Sequence, residues 1–562
     1  MIAGQNKFAM LQDLSTVKTI LETSYAPKDW KKNHDGWDLE GEYQKAVAAI
    51  TEERDLSLKE FQQVLLKFIQ SAMDYHVDIS FNSTESANLP FRVKTIDQRT
   101  YVDWIDPIKL SKEISSLREG DEILEFDDQP IAEVMAMLSK KNYMNNENST
   151  DMALRDIKLT NQRGSRGDVV STGFINIVFR SFGDGKIRTI QLIWDYFPEL
   201  VKVPSSLMQT IPYLNLAKQN HSEFSDYANR LFASYANDED EGAPGSPVSF
   251  VPQLGKEIWR WKGNFEGEQP IESKSNYPMW NAYIYENDEG RLIGYIRIPG
   301  YQGSDAEALN FGMIIGYMEN NTEALVIDQV NNFGGSANFL YSLASMLTME
   351  PLKAPRERVK LTLSLVHKAI GRLKMIDEDL NRPDLKEVLK FWELKDRQQL
   401  LIYKHYSQFI VDEWNAGQDL TGPIHMFRCA DIINPNPSYN YTKPILFLIN
   451  ELDISCGDIM PAILQDNQRA VLFGCKTAGA GGHVLHTSFP NKHGIAEISY
   501  TGSILQRVSQ EIIESVGVSP DIEYVITAED VQNRYVNYAL KINEVVSSML
   551  PNQPVEDTVI VN

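Results

Sequence analysis

The 562-residue sequence is poor in cysteine and has no long apolar run. Its cysteines, Cys429, Cys456 and Cys475, form no CxxC pair and no metal-type spacing, so we expect neither a disulfide framework nor a cysteine-based metal site. No apolar stretch reaches the length of a transmembrane helix. The first residues, MIAGQNKFAML, lack a basic segment followed by an apolar one, so no signal peptide is visible.

Positive charge is also scarce, since the formal net charge at pH 7 is −23. This balance argues against nucleic acid, or an anionic membrane, as the main partner. The Walker, Rossmann and HExxH motifs are absent, so nothing in the sequence indicates a nucleotide or metal cofactor, and we expect none. An apolar content of 43% is typical of folded domains, and the length predicts several of them.

Residues 1–82 are predicted to be a helical amino-terminal region. Ser57 and Glu60 form an S-x-x-E capping box before an amphipathic helix. This helix leads into His76, after which residues 77–81 alternate as in a strand. We therefore expect His76 at the rim of a helix-to-strand junction, where a histidine is by default a surface or capping residue.

Residues 83–200 have short alternating runs and contain L-x-x-G-D-x-I-L at residues 117–124, a pattern that resembles a PDZ domain. Gly120 would provide the turn, and such a domain can bind a peptide by strand addition. Residues 201–255 are predicted to be a linker. Within it, the acidic and Gly/Pro-containing run 237–247 (NDEDEGAPGSP) is expected to be exposed and sensitive to proteases.

Residues 256–552 follow an α/β pattern with a mostly helical insertion at 352–442. A buried strand at 325–330 turns into a helix through a glycine pair, Gly334 and Gly335, which allows backbone amides to approach a ligand oxygen or simply makes a tight turn. Residues 384–415 read as one long amphipathic helix. A hairpin is expected at 483–500, and a terminal helix near 528–550.

The most informative stretch is 443–482, in which a strand, a polar corner and a helix follow one another. This geometry exposes a nucleophile at the corner, where Ser455 lies, although a serine there also caps a helix. A serine nucleophile needs a base, and His76 and Lys476 are both available. Cys456 is a weaker alternative nucleophile, because its position is expected to point inward.

Ordered motifs along nearly the whole chain resemble the carboxyl-terminal processing (tail-specific) serine peptidases. In that family a lysine within T-F-G-K-G acts with the serine, but this chain has Ala480 at the corresponding position. The motifs that carry the resemblance are residues 25–30, 36–39 and 74–76, the PDZ-like segment, and residues 321–325, 328–329, 332, 334–335, 449–451, 455–456, 477–482, 501–503 and 513–518.

The alanine matches a subgroup of the family that resembles a Ser–His–Glu system. The resemblance therefore implies Ser455 as nucleophile, His76 as base and Glu514 as the orienting carboxylate. Three neighbouring glutamates could be mistaken for Glu514, namely Glu497, Glu511 and Glu523. The backbone N–H of Cys456 and that of Gly334 or Gly335 would form the oxyanion hole, and the sequence does not decide between the glycines.

The resemblance implies a multidomain α+β protein with a ββα, crotonase-like catalytic core. The expected activity is that of a serine endopeptidase acting on proteins or peptides. It also implies a secreted bacterial effector made as a self-processing zymogen, and a homodimer. The alternative is a catalytically silent homologue that binds peptides through the PDZ-like domain, since fold does not imply function.

Overall fold

The computed structural model of this protein describes residues 3–52, 55–110, 115–141, 148–200, 249–263, 279–382, 384–391 and 397–551. The predicted processing segment 237–247, and most of the predicted linker 201–255, lie outside these residues. Among the described residues, no helix is both long enough and apolar enough to cross a membrane.

A seven-stranded sheet organises the carboxyl-terminal half. Ala324–Asp328 and Ile445–Ile449 are buried on both faces, which explains their continuous apolar sequences. The first three strands in the sheet pair antiparallel, and every later pair is parallel. The strand order is Lys256–Arg260, Ala282–Glu286, Leu292–Arg297, Ala324–Asp328, Ile445–Ile449, Val471–Gly474 and Ile522–Glu523.

Helices cover both faces of this sheet, and the alternation of side chains along its strands feeds two cores. Leu325 and Ile327 pack on one face, and Val326 packs on the other. The first face carries Asp305–Asn321, Ala337–Ser345 and Cys456–Asp466, and the second carries Ala528–Gln532 and Val536–Ser548. The predicted single terminal helix is therefore two helices, because Arg534 and Tyr535 have φ angles of 55° and 60°.

The amino-terminal region is helical as predicted, and it shares a core with a hairpin from the far end of the chain. Strand Asp78–Phe81 pairs antiparallel with Ile495–Thr501, which in turn pairs with Val484–Thr487. This pairing brings residues 74–76 against the carboxyl-terminal half. The helices are Ala3–Ser24, Lys28–His34, Leu39–Glu52 and Leu58–Gln70, and the predicted capping box of Ser57 and Glu60 is present.

The small β domain has its own core, which includes Leu117, Ile123 and Phe179. Gly120 has a φ of 88°, and a Cβ there would lie 2.9 Å from the backbone of Gln532, so a larger residue would clash with the carboxyl-terminal half. The main strands of the small β domain are Phe91–Ile96, Arg99–Ile105, Glu122–Phe126, Phe174–Arg180 and Ile187–Ile193. The short strand Gln129–Pro130 pairs with Glu122–Phe126. A second sheet contains Ser86–Asn88, Asn161–Arg163 and Asp195–Phe197, and the helices are Ile131–Lys141 and Ser149–Thr160.

The insertion within the larger domain combines helices with short strands. Its helices are Leu363–Asp379, Leu385–Phe391 and Arg397–Asn415. The last two lie within the helix predicted at 384–415, and residues 392–396 lie outside the described residues. Arg356–Val359 pairs with Ile424–His425 and Ser503–Gln506, and Leu352–Lys353 pairs with Ile432–Ile433. The insertion is thereby tied to the strand that follows the predicted hairpin.

Candidate active site

Ser455 lies at the sharp corner between strand Ile445–Ile449 and helix Cys456–Asp466. Its φ of 62° and ψ of −118° lie in a region that a residue with a side chain rarely adopts. The N–H of Ser455 is shared between the carbonyl of Ala480 at 3.1 Å and Oδ2 of Asp458 at 3.0 Å. The corner is thus held in a strained conformation of the kind that presents a nucleophilic side chain.

Asp458 fastens the glycine-rich loop 477–482 to this corner. Its carboxylate accepts hydrogen bonds from the N–H of Gly479 at 2.8 Å, the N–H of Ala480 at 3.1 Å and the hydroxyl of Thr477 at 2.6 Å. Burial raises the pKa of Asp458 to about 6, and these bonds act in the opposite direction. The loop and the corner consequently form one hydrogen-bonded unit.

Gly334 lies directly against Ser455, and the carbonyl of Gly335 lies 3.3 Å from the thiol of Cys456. A Cβ on Gly334 would lie 2.7 Å from Cβ of Ser455 and 2.9 Å from the nitrogen of Cys456. The N–H of Gly334 donates to the side-chain oxygen of Asn332 at 2.9 Å. Because that N–H is engaged, Gly335 is the better of the two candidates for the second oxyanion donor.

Asn332 itself is fixed by the corner that carries Ser455. Its N–H donates to the Asp453 carboxylate at 2.9 Å, and its side-chain amide donates to the carbonyl of Ile298 at 3.0 Å. The N–H of Ile454 returns a hydrogen bond to the Asn332 carbonyl at 2.9 Å. The glycine pair is therefore positioned in the folded protein without help from a ligand.

Cys456 points inward, as the sequence predicts. Its side chain is 2% exposed, and the thiol faces the carbonyl of Gly335 at 3.3 Å. Burial raises the pKa of this thiol to about 12, whereas a reactive cysteine needs a lowered pKa. The structure thus favours Ser455 over Cys456 as the nucleophile.

His76 is buried, with an exposure of 1%, so its predicted place at a surface rim is wrong. The backbone N–H of His76 donates to the carboxylate of Asp74 at 2.8 Å. This bond closes the turn between the helical region and strand Asp78–Phe81. The imidazole is hydrogen-bonded to the backbone of Gly482. Burial lowers the pKa of His76 to about 4 against the pull of Asp74, so the imidazole is neutral at pH 7.

The loop 477–482 connects Ser455 and His76. Within it, the carbonyl of Ala480 accepts a hydrogen bond from Ser455, and the backbone of Gly482 is hydrogen-bonded to His76. Ala480, at the position of the family's lysine, is fully buried within this loop. Lys476 is exposed. Neither residue therefore supplies a buried amine at the corner.

Glu514 is buried, while Glu511 and Glu523 are exposed and Glu497 is hydrogen-bonded to His486 at 3.0 Å. Its carboxylate lies 3.1 Å from Nζ of Lys31. Burial raises the pKa of Glu514 to about 8, Asp74 adds to the rise, and Lys31 opposes it. The structure thus separates Glu514 from the other three glutamates, which the sequence alone does not.

The sequence pattern does not predict a role for two charged residues beside this site, Lys31 and Asp74. Besides binding the His76 N–H, Asp74 accepts hydrogen bonds from the hydroxyls of Tyr25 at 2.9 Å and Thr501 at 2.6 Å. An aspartate two residues before a histidine is a signal for such a turn. Nothing in the sequence pattern marks Lys31, which lies on a short charged helix.

Comparisons with known proteins find relatives of both the small β domain and the larger domain. The PDZ domain family matches residues 85–203, and peptidase family S41 matches residues 292–524, which include Ser455 and Glu514. An uncharacterized protein of Chlamydia muridarum is 35% identical and covers 97% of this chain and 93% of its own length. The crystal structure of mature CPAF has 32% identity and a TM-score of 0.78, covering 97% of this chain and 98% of that one.

This chain belongs to peptidase family S41. It is a serine protease, and its substrates are proteins or peptides. A second structure, mature CPAF complexed with lactacystin, gives the same TM-score of 0.78 and covers 99% of that chain. The predicted combination of a PDZ domain with a peptidase domain in a multidomain α+β fold is confirmed. The limits drawn between the domains stay predictions.

Proposed function

We propose that this S41 peptidase cleaves internal peptide bonds through an acyl-enzyme formed on Ser455, with His76 as the base and Glu514 as the orienting carboxylate. One observation carries the assignment. The loop 477–482 is hydrogen-bonded to Ser455 at one residue and to His76 two residues later, with an alanine where the family's lysine would lie. A neutral, buried histidine is therefore linked to the strained corner through this loop.

The reaction follows from these positions. The Ser455 hydroxyl oxygen bonds to the carbonyl carbon of the substrate while its proton passes to His76. The N–H groups of Cys456 and Gly335 stabilise the negative oxygen of the tetrahedral intermediate, and losing one such donor typically costs about 3 kcal/mol. His76 then gives the proton to the departing amine as the C–N bond breaks. A water molecule, activated by the same histidine, releases the acid product.

Glu514 is expected to set the pH dependence. The Glu514 carboxylate can stabilise the imidazolium of His76 only when the carboxylate is ionised. Burial raises the pKa of Glu514 to about 8. His76 is neutral well below that pH, because its pKa is lowered to about 4. Activity should therefore rise with pH through a midpoint near 8 rather than near the ordinary value for histidine.

Hydrolysis of a peptide substrate between pH 5.5 and 9.5 tests this assignment. We expect kcat/KM of the wild type to lose about tenfold per pH unit below the midpoint, as protonation removes the active form. In Glu514→Gln the plateau should be lower and this limb absent. Glu511→Gln is a matched control at an exposed site three residues away, and it should keep the wild-type profile. A wild-type profile that stays flat from pH 6 to 9 would contradict the role of Glu514.

We further propose that the enzyme is a secreted bacterial effector, made as a zymogen that cuts itself within 237–247, and that it acts as a homodimer. The resemblance to the chlamydial protease-like activity factor supports these points. The solved CPAF structure is of the mature protein, which supports processing. The acidic and Gly/Pro-containing composition of 237–247 is typical of sites where proteolysis concentrates. His76 precedes this segment, and Ser455 and Glu514 follow it.

Self-processing predicts that purified wild type is cleaved within 237–247 on incubation, whereas Ser455→Ala stays intact. The two fragments should remain associated and active, because His76 and Ser455 would lie on different fragments. Mass spectrometry of the fragment termini and size-exclusion chromatography measure both results. Identical cleavage of the serine variant, without added protease, would show that another enzyme makes the cut.

A further inference from the structure

A buried lysine in the amino-terminal region contacts the carboxylate of Glu514 and the backbone of the turn that leads to His76. Lys31 lies on the short helix Lys28–His34 and has no exposed surface. Its Nζ is 3.1 Å from Oε1 of Glu514 and donates to the carbonyl of Met73 at 2.7 Å. Met73 immediately precedes Asp74, whose carboxylate binds the N–H of His76.

The same helix holds the Glu514 turn at two further points. The indole N–H of Trp30 donates to the backbone carbonyl of Glu514 at 3.0 Å. The hydroxyl of Ser515 donates to the carboxylate of Asp35, the residue that follows the helix, at 2.7 Å. The position of Glu514 is therefore set from the amino-terminal region, more than 470 residues away along the sequence.

The charges explain why a cation is needed at this place. Asp74 and Asp458 are buried carboxylates that both raise the pKa of Glu514. Asp35 lies 3.6 Å from Nζ of Lys31, and the hydroxyl of Tyr25 donates to Asp74. Buried like charges disfavour ionisation, and a buried cation counters this. Burial alone would lower the pKa of Lys31, but Glu514, Asp74 and Asp35 outweigh it and raise the pKa. A lysine that stays protonated cannot be the base.

We infer that Lys31 is a positioning residue, which ties the Glu514 carboxylate to the turn that carries His76 and favours the ionised form of that carboxylate. The inference rests on the proposed function, because Lys31 acts through Glu514. This role differs from that of the family's usual lysine, which would lie at position 480. Lys31 supplies a fixed positive charge to the carboxylate and takes no proton from Ser455.

The test compares Lys31→Met, Lys31→Arg, Glu514→Gln and the double variant Lys31→Met/Glu514→Gln in steady-state kinetics across pH. Lys31→Met should lower kcat by about 10²-fold or more, with KM changed less than about threefold, as expected when orientation is lost but binding is kept. Its acid limb should move to higher pH, because the carboxylate loses its cation. Lys31→Arg keeps the charge and should recover part of kcat with the limb near its wild-type position.

The double variant separates coupling from two independent effects. If Lys31 acts through Glu514, the double variant should have a kcat within about threefold of Glu514→Gln alone. The double variant also removes both charges, so it remains informative where Lys31→Met fails to fold. Lys32→Met, an exposed lysine on the same helix, is the matched control and should behave as wild type.

Three results would overturn the inference. One is a Lys31→Met variant with wild-type kcat and pH profile. Another is a double variant whose losses multiply, which would mean that Lys31 acts independently of Glu514. In both cases an impaired Glu514→Gln would leave the proposed function standing. The third is a fully active Glu514→Gln, which would refute the proposed carboxylate and the role of Lys31 together.

Discussion

Ser455→Ala is expected to abolish peptide hydrolysis, with kcat reduced by about 10⁶-fold, as in serine proteases that lose their nucleophile. The substitution removes the oxygen that is proposed to form the covalent bond, while the backbone N–H groups proposed for the oxyanion hole remain. The Ser455 N–H bonds to Ala480 and Asp458 are backbone donations and also persist in the variant. The fold should therefore survive, which a melting curve and circular dichroism would verify.

Cys456→Ala is the matched control for that variant. It removes a buried thiol next to the nucleophile but keeps the backbone N–H assigned to the oxyanion hole. We expect this variant to retain activity within about tenfold of wild type, since the loss is a small buried side chain. Full activity of Ser455→Ala together with inactivity of Cys456→Ala would reverse the assignment.

His76→Ala should lower kcat by about four to six orders of magnitude, because Ser455 would lose the group that is proposed to take its proton. His76 is buried, so its removal leaves a cavity, and His76→Gln is a second variant with a better fit to the space. Both variants should keep substrate binding. Hydrolysis of a fluorogenic peptide, with KM compared across variants, measures these effects.

Lys476→Ala is the control for the base. Lys476 is exposed and lies outside the buried part of loop 477–482, so the variant should keep most of its activity. The opposite pattern, with a dispensable His76 and an essential Lys476, would restore a serine–lysine mechanism of the usual family type. The two variants together therefore decide which residue takes the proton.

The local pattern around Ser455 was predictable because it depends on neighbours in the sequence. A buried strand, a polar corner and an amphipathic helix follow one another within about twenty residues, and each has its own periodicity. The inward orientation of Cys456 follows from the same local geometry. The capping box of Ser57 and Glu60 was equally local, and both predictions are confirmed.

The burial of His76 was not predictable, because it depends on a pairing across the whole chain. Asp78 pairs with Ser499, which covers the junction that a local reading places at the surface. The selection of Glu514 among nearby glutamates also depends on a distant group, the ammonium of Lys31. A lysine on a short charged helix reads as solvent-exposed, since lysine is seldom buried unless it is paired.

The choice between Gly334 and Gly335 as the second oxyanion donor also could not be predicted from the sequence. Both glycines have positive φ angles, and their sequence positions are equally suitable for an oxyanion donor. The difference is one hydrogen bond, from the Gly334 N–H to the side chain of Asn332. Side-chain to backbone bonds of this kind depend on rotamers that a sequence pattern does not specify.

The most direct measurement of the central claim is to label the wild-type enzyme with a fluorophosphonate probe and to locate the adduct by peptide mass spectrometry. We expect a single adduct on Ser455 in the wild type. The adduct should be absent from Ser455→Ala and strongly reduced in His76→Ala, and Lys476→Ala should be labelled as strongly as the wild type. An adduct on another residue, or undiminished labelling of Ser455→Ala, would contradict it.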